Sequence, residues 1–315
     1  LLGTATGSLA NWFLLWSIVA FANFWIQGTV WVAAVSSRFD ASRGLAMAIT
    51  MSGGSLTSAL LPIIATAVIE IADWRTAFFA VGGIWFLLAY PLIFLFFRGA
   101  RDDGKAGPVT AARPEPAVLS GVAVREALRM RQFYQLIAAS GFYAFAGIGT
   151  IVHFVPILTD RGATPLGAAG VASLVGIASL VGRLSTGLLL DRFSARFVGA
   201  AVFLLPMASC ALLIADGANP ISQMASAIFF GFALGAEIDV IAYLTARQFG
   251  LKHYGVLFGS MTAALAIGTA LGPLAAGGAF DAFGTYKEFL MLTATLMAIS
   301  SVAIATLGPG RRDAA

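Results

Sequence analysis

The sequence predicts an all-α protein that crosses a lipid bilayer many times, and three observations carry that prediction. First, 59% of the 315 residues are hydrophobic and only 11% are charged, against about 25% charged in a soluble domain. Mean hydropathy is +0.89. So few charges could not coat a globule of this size, whereas lipid as solvent removes the need. Second, the apolar residues gather into runs near or above the roughly 20 that a spanning helix needs. They are too long, and alternate too little, for barrel strands of about 9–11 residues. Third, the cations alternate between one connector and the next.

Nine full spans are expected in order: residues 12–35, 44–70, 75–97, 133–158, 165–190, 197–215, 221–246, 255–279 and 288–308. Residues 1–9 read as the end of a tenth. Polar and turn residues separate them at Ser37–Ser42, Ala72–Trp74, Asp160–Pro165, Ser194–Arg196, Asp216–Pro220, Phe249–Tyr254 and Asp281–Lys287. Grouped by connector, sixteen of the nineteen Lys and Arg fall on one side: Arg38 and Arg43; Arg98 to Arg131; Arg183, Arg192 and Arg196; Arg247 and Lys252; Arg311 and Arg312. Only Arg75, Arg161 and Lys287 fall on the other. By the positive-inside rule the basic side is cytoplasmic, and the C-terminus lies there. The expectation is a multi-pass protein of the inner or plasma membrane.

The longest polar stretch, residues 99–131, divides the chain. Its first half is rich in Gly, Pro and charge and reads as flexible. Its second half has two readings: a short surface helix with Arg125, Arg129 and Arg131 toward phosphates, or an unstructured tether. The expected organisation is an incomplete N-terminal bundle over 1–98, this linker, a six-helix bundle over 132–310 and a tail over 311–315. A weak repeat joins the halves. Gly44 and Pro62 are eighteen apart, as are Gly255 and Pro273, at an offset of 211 residues. Such helical repeats mark secondary transporters.

The densest local signal is Gly182-Arg183-Leu184-Ser185-Thr186-Gly187-Leu188-Leu189-Leu190-Asp191-Arg192-Phe193. Gly182 and Gly187 are expected to let helices approach closely, and Asp191 and Arg192 to bridge to neighbours at the cytoplasmic end. This segment resembles the Gly-x-x-x-Asp-Arg signature of the major facilitator superfamily, in the copy of the C-terminal half. Arg43-Gly44-Leu45-Ala46 with Gly53-Gly54 and Pro62 resembles the start of that family's fifth helix. Asp73-Trp74-Arg75-Thr76-Ala77-Phe78 resembles the turn that follows. Arg247 to Gly255, Leu271-Gly272-Pro273, Gly277-Gly278 and Gly284-Thr285-Tyr286 resemble the region of the tenth to twelfth helices. The flavour is similar to the monocarboxylate and oxalate/formate transporter-like branch.

The resemblance implies two six-helix bundles, with the first two helices and most of the third absent, and hence no saturable flux from residues 1–315 alone. It implies a secondary active transporter of a small solute, a small organic anion such as a carboxylate, working by alternating access with proton coupling. Rival readings are a drug or metabolite exporter of the same fold, or a non-transporting membrane sensor. Gly182, Arg183, Gly187, Asp191 and Arg192 would form the cytoplasmic latch. Gly44, Pro62, Gly268, Gly272 and Pro273 would serve helix packing.

Charges inside spans are costly and tend to be functional. Glu237 and Asp239 lie within 221–246, about 200° apart on the helix, and cannot serve one site together. Each is either a protonatable coupling group or half of an ion pair with Arg183 or Arg247. His153 either faces the cavity or is hydrogen-bonded in packing. Asn23, Gln27 and Tyr143 are candidate cavity residues, and for the first two the alternative reading is polar glue between helices. No substrate-binding cation stands out mid-membrane. Two histidines and one cysteine, Cys210, give neither a metal-ligand cluster nor an intrachain disulfide. No nucleophile elbow or phosphate loop is present. No enzyme, cofactor, metal or nucleic-acid role is expected. The expected partners are a small-molecule substrate, protons and the bilayer, with the chain as a monomer.

Overall fold

The computed structural model describes residues 2–23, 43–96, 121–250 and 252–308. After a short 3-10 turn, Leu2–Thr4, the described residues form eleven α-helices. These are α1 (Leu9–Asn23), α2 (Arg43–Ile71), α3 (Trp74–Phe96), α4 (Val124–Ala127), α5 (Arg131–Val152) and α6 (Phe154–Asp160). Then come α7 (Pro165–Arg192), α8 (Ala195–Asp216), α9 (Pro220–Phe249), α10 (Tyr254–Phe283) and α11 (Lys287–Ala305). Eight of them, all but α1, α4 and α6, are long and apolar enough to cross a membrane.

The helices start and stop where local chemistry directs. Thr164 caps α7 by accepting from the Gly167 N–H, ahead of Pro165 in the first turn. Asn219 does the same for α9, accepting from Ile221 ahead of Pro220. In both, Pro occupies a position whose N–H has no helical partner. Asp73 accepts from the Thr76 N–H at 2.7 Å at the start of α3. Gly284, at φ 70°, ends α10 in the left-handed region that glycine adopts without strain.

One expected span is broken. Residues 133–158 do not form a continuous helix: α5 stops at Val152, and α6 starts at Phe154 with His153 as the joint. Pro156 causes this, because it has no N–H for the Val152 carbonyl four residues back and its ring would strike it.

The chain divides into two compact units, Leu1–Glu115 and Pro116–Ala315. In the first, α2 packs on α3. The Arg75 guanidinium donates to the Ala5 carbonyl at 3.0 Å and lies 4.2 Å from the Trp74 ring centre. Trp12 meets Trp74 edge-on at 6.3 Å.

In the second unit, α5 packs on α10 and α11, α7 on α9, and α8 on α9 and α11. Two apolar cores fill it. One includes Leu136, Tyr143, Phe203, Ile241, Leu244 and Phe249. The other includes Phe154, Ile157, Leu158, Phe230 and Leu290. Pro62 and Pro273 hold equivalent places, each nineteen residues after its helix begins, Arg43 to Pro62 and Tyr254 to Pro273. Gly44 lies on α2 in the stretch 43–51, whose side chains lie outside the described residues.

Residues 121–131 are not an unstructured tether: they carry the short helix α4 and are fastened to the end of α9. The Val122 N–H donates to the Phe249 carbonyl at 2.8 Å, and Gly121 forms an antiparallel bridge with Gly250. Val122 and Ala127 are fully buried. The segment is a strap, docked through its apolar residues on the end of α9.

Candidate functional site

Helices α7 and α9 touch backbone to backbone. A Cβ at Gly182 would collide with the Phe232 carbonyl; one at Gly231 would collide with Val175, and one at Gly235 with Ser179. Gly187 is a correction. Nothing lies within 4 Å of a Cβ built there. Five residues beyond Gly182, it points about 140° away from the α9 seam.

This close seam brings the Arg183 side chain from α7 to Asp239 on α9. Arg183 Nε and Asp239 Oδ2 are 3.8 Å apart, with side chains 27% and 38% exposed. That distance is an ion pair but too long for a hydrogen bond. Arg183 Nε is buried and makes no hydrogen bond. Arg183 therefore has unused donors, and its planar fork suits a carboxylate. It is not a connector residue, as the charge grouping had it. It lies nine residues before the end of α7, roughly 14 Å along the helix axis. The second unit thus holds an arginine deep within a span, where the sequence had shown no mid-membrane cation.

Glu237 faces the other way, into the core. It is 7% exposed, and its Oε1 is buried without a hydrogen-bond partner. Tyr143 is 1% exposed, lies 4.9 Å from the Phe203 ring, and also has an unpartnered hydroxyl. Tyr143 therefore does not line an open cavity; it is enclosed in the core of the second unit. The ion-pair alternative falls to Asp239, and Glu237 stands apart from it.

His153, at the α5–α6 joint, is hydrogen-bonded in packing. Its Nε2 lies 3.2 Å from the Pro273 carbonyl and its Nδ1 3.1 Å from the Tyr286 hydroxyl. A carbonyl only accepts, so Nε2–H donates to Pro273; in the tautomer with its hydrogen on Nε2, Nδ1 accepts from the Tyr286 hydroxyl. Burial, with Asp160 and Asp281 nearby, raises the Tyr286 phenol above its ordinary 10.0 and keeps it a donor. Tyr286 is a partner that sequence reasoning missed.

Asp191 and Arg192 are exposed, and among the described residues neither makes an ion pair. Asn23 is exposed at the end of α1. Gln27 lies outside the described residues. Gly268 and Gly272 seat α10 on α5, against the Gly141 and Phe145 carbonyls. Beside that seam, α5, α10 and α11 border an open groove of about 450 Å³, lined by Ile137, Ala138, Gly141, Phe142, Phe145, Ala264, Ile267, Gly268, Leu271, Leu292 and Leu296. With no polar side chain in its wall, it offers nothing to orient a carboxylate.

These features define a multi-pass helical membrane protein with ionisable groups set within its packed spans, the class to which secondary transporters belong. Residues 1–273 match the family model described as Major Facilitator Superfamily. The chain belongs to the Major Facilitator Superfamily. Monocarboxylate transporter 12 of Mus musculus is 24% identical over 335 residues, covering 96% of this chain and 67% of its own. Monocarboxylate transporter 13 of Bos taurus is 26% identical over 307 residues, covering 96% and 69%. The chain thus spans about two thirds of the length of these curated relatives. Among solved structures, the E. coli fucose:proton symporter superposes with a TM-score of 0.51 at 16% identity, covering 86% of this chain and 71% of that one. An inward-facing bacterial homolog of the human lysosomal transporter Spinster gives 0.53 at 17% identity, covering 87% and 70%. The fold is that of a transporter, and the sequence places the chain beside the monocarboxylate branch.

Proposed function

We propose that the protein carries small monocarboxylates across the cell membrane by alternating access, one proton accompanying each anion, as a monomer with a cytoplasmic C-terminus. The observation that carries this reading is Arg183: a guanidinium deep in a span whose one ion pair among the described residues is a 3.8 Å contact to Asp239. The names of the relatives point to the same substrate class. In the empty state Asp239 is the provisional counter-ion. A substrate carboxylate makes two parallel hydrogen bonds to the guanidinium and displaces it. A charge moved through lipid alone is costly, so a proton taken up at Glu237 offsets the anion. The Gly182–Arg192 segment acts as the cytoplasmic latch, with Asp191 and Arg192 free to find partners as the bundles rock.

The test is equilibrium binding of radiolabelled lactate to the purified chain, with lactamide as neutral isostere. R183Q should weaken binding roughly tenfold or more, the scale of hydrogen bonds to a charged group. D239N should tighten it by removing the internal competitor, and E237Q should flatten its pH dependence. Unchanged lactate binding in R183Q, or lactamide binding as well as lactate, would refute the reading.

A further inference from the structure

The strap that docks on α9 has a second face. Val122 and Ala127 are spent on the core, which leaves Arg125, Arg129 and Arg131 exposed. Lys252 joins them. A Cβ on Gly121 would meet the Lys252 backbone N at 2.9 Å, so the α9–α10 turn lies against the strap, and Lys252 is exposed. One carboxylate, Glu126, interrupts these four cations, and among the described residues no ion pair neutralises any of them. Apolar surface lies beside them. Leu128 is 44% and Tyr134 57% exposed, and the Tyr134 hydroxyl donates to the Leu128 carbonyl at 3.0 Å.

The depth of this face is set by α5. Arg131 is the first residue of a spanning helix, and Tyr134 lies three residues in, about 4.5 Å along the axis. Cations at a span's end, with an exposed tyrosine one turn further in and an exposed leucine among them, match the layer where phosphates meet hydrocarbon. The anions that fill that layer are lipid phosphates.

We propose that Arg125, Arg129, Arg131 and Lys252 form a binding face for anionic phospholipid headgroups, with Leu128 and Tyr134 resting on the acyl boundary. The lipid holds the strap at the bilayer surface. This inference is independent of the solute carried. Each cation near an anionic surface favours binding roughly fivefold, and salt screens the attraction.

The test reconstitutes the full chain in mixed phosphatidylcholine and phosphatidylglycerol vesicles, extracts it gently, and measures by mass spectrometry the two lipids that remain bound. Phosphatidylglycerol should be enriched several-fold over its bulk share. The R125Q/R129Q/R131Q variant and raised salt should each remove most of that enrichment, while R125K/R129K/R131K retains it and K287Q leaves it unchanged. Burial of the lone Cys210 against maleimide confirms that each variant is folded. Bulk-like lipid ratios in the parent chain, equal enrichment in the glutamine variant, or full displacement by glycerol phosphate would overturn the proposal.

Discussion

Replacing Gly235 by Ala, beside Gly187→Ala as its counterpart, tests the backbone seam between α7 and α9. A methyl at Gly235 has no room: its carbon would overlap the Ser179 carbonyl on α7, so the helices must part by about 1 Å or more for ordinary contact. Overpacking of this kind costs about 1–3 kcal/mol. Against it stands the helix preference for Ala over Gly, about 0.5–1 kcal/mol. The net expectation is destabilisation of about 1–2 kcal/mol. At Gly187 only the second effect operates, since nothing lies within 4 Å. G187A should therefore stabilise, by about 0.5–1 kcal/mol. The chain supplies its own reporter. Cys210, its only cysteine, is fully buried on α8 in the second unit. Thermal exposure to a fluorogenic maleimide thus reads that unit alone, while all six tryptophans, Trp12 to Trp85, lie in the first. The labelling midpoint should fall for G235A and rise for G187A, with tryptophan melting unmoved. Equal shifts in the same direction would refute the seam.

Three further outcomes follow from particular contacts. The Thr76 side chain and backbone hold the Asp73 carboxyl below its ordinary 3.8. Its stabilising effect is therefore present above that pH and lost as pH falls through the lowered value, so D73A should lower the tryptophan-read midpoint at neutral pH but not in strong acid. The Ser209 and Ser226 hydroxyls are 2.6 Å apart across α8 and α9. S209A should cost about 1–3 kcal/mol by orphaning a buried hydroxyl, and S209A/S226A, measured by Cys210 exposure, should cost less than the single change. H153F and Y286F should each lower the same midpoint, at a stability cost of about 1 kcal/mol, and the double variant should cost less than their sum.

Much of this molecule is legible in the sequence, and the rest fails for definable reasons. Span order is readable because lipid imposes one rule, apolar length, and because Thr164-Pro165 and Asn219-Pro220 announce helix starts. The α5–α6 break was also written locally, in Pro156, but a run scored only for apolarity passes through it. Arg183 illustrates a different failure. Grouping cations by connector gave it to its neighbours Arg192 and Arg196, and only the depth of a helix end separates them. Gly182 and Gly187 look alike in a one-dimensional motif, and the position of α9 decides which one packs. The partners of His153 lie 120 and 133 residues away in sequence, beyond any local signal.

The hydrogen bond between Val122 and Phe249 has a mechanical consequence. Chain arriving from the first unit is moored at the foot of α9 before it enters α5. Asp239 lies ten residues up that same helix, about 15 Å away. Any displacement of residues 121 and 122 therefore bears directly on the helix that carries Asp239, the acidic partner of Arg183.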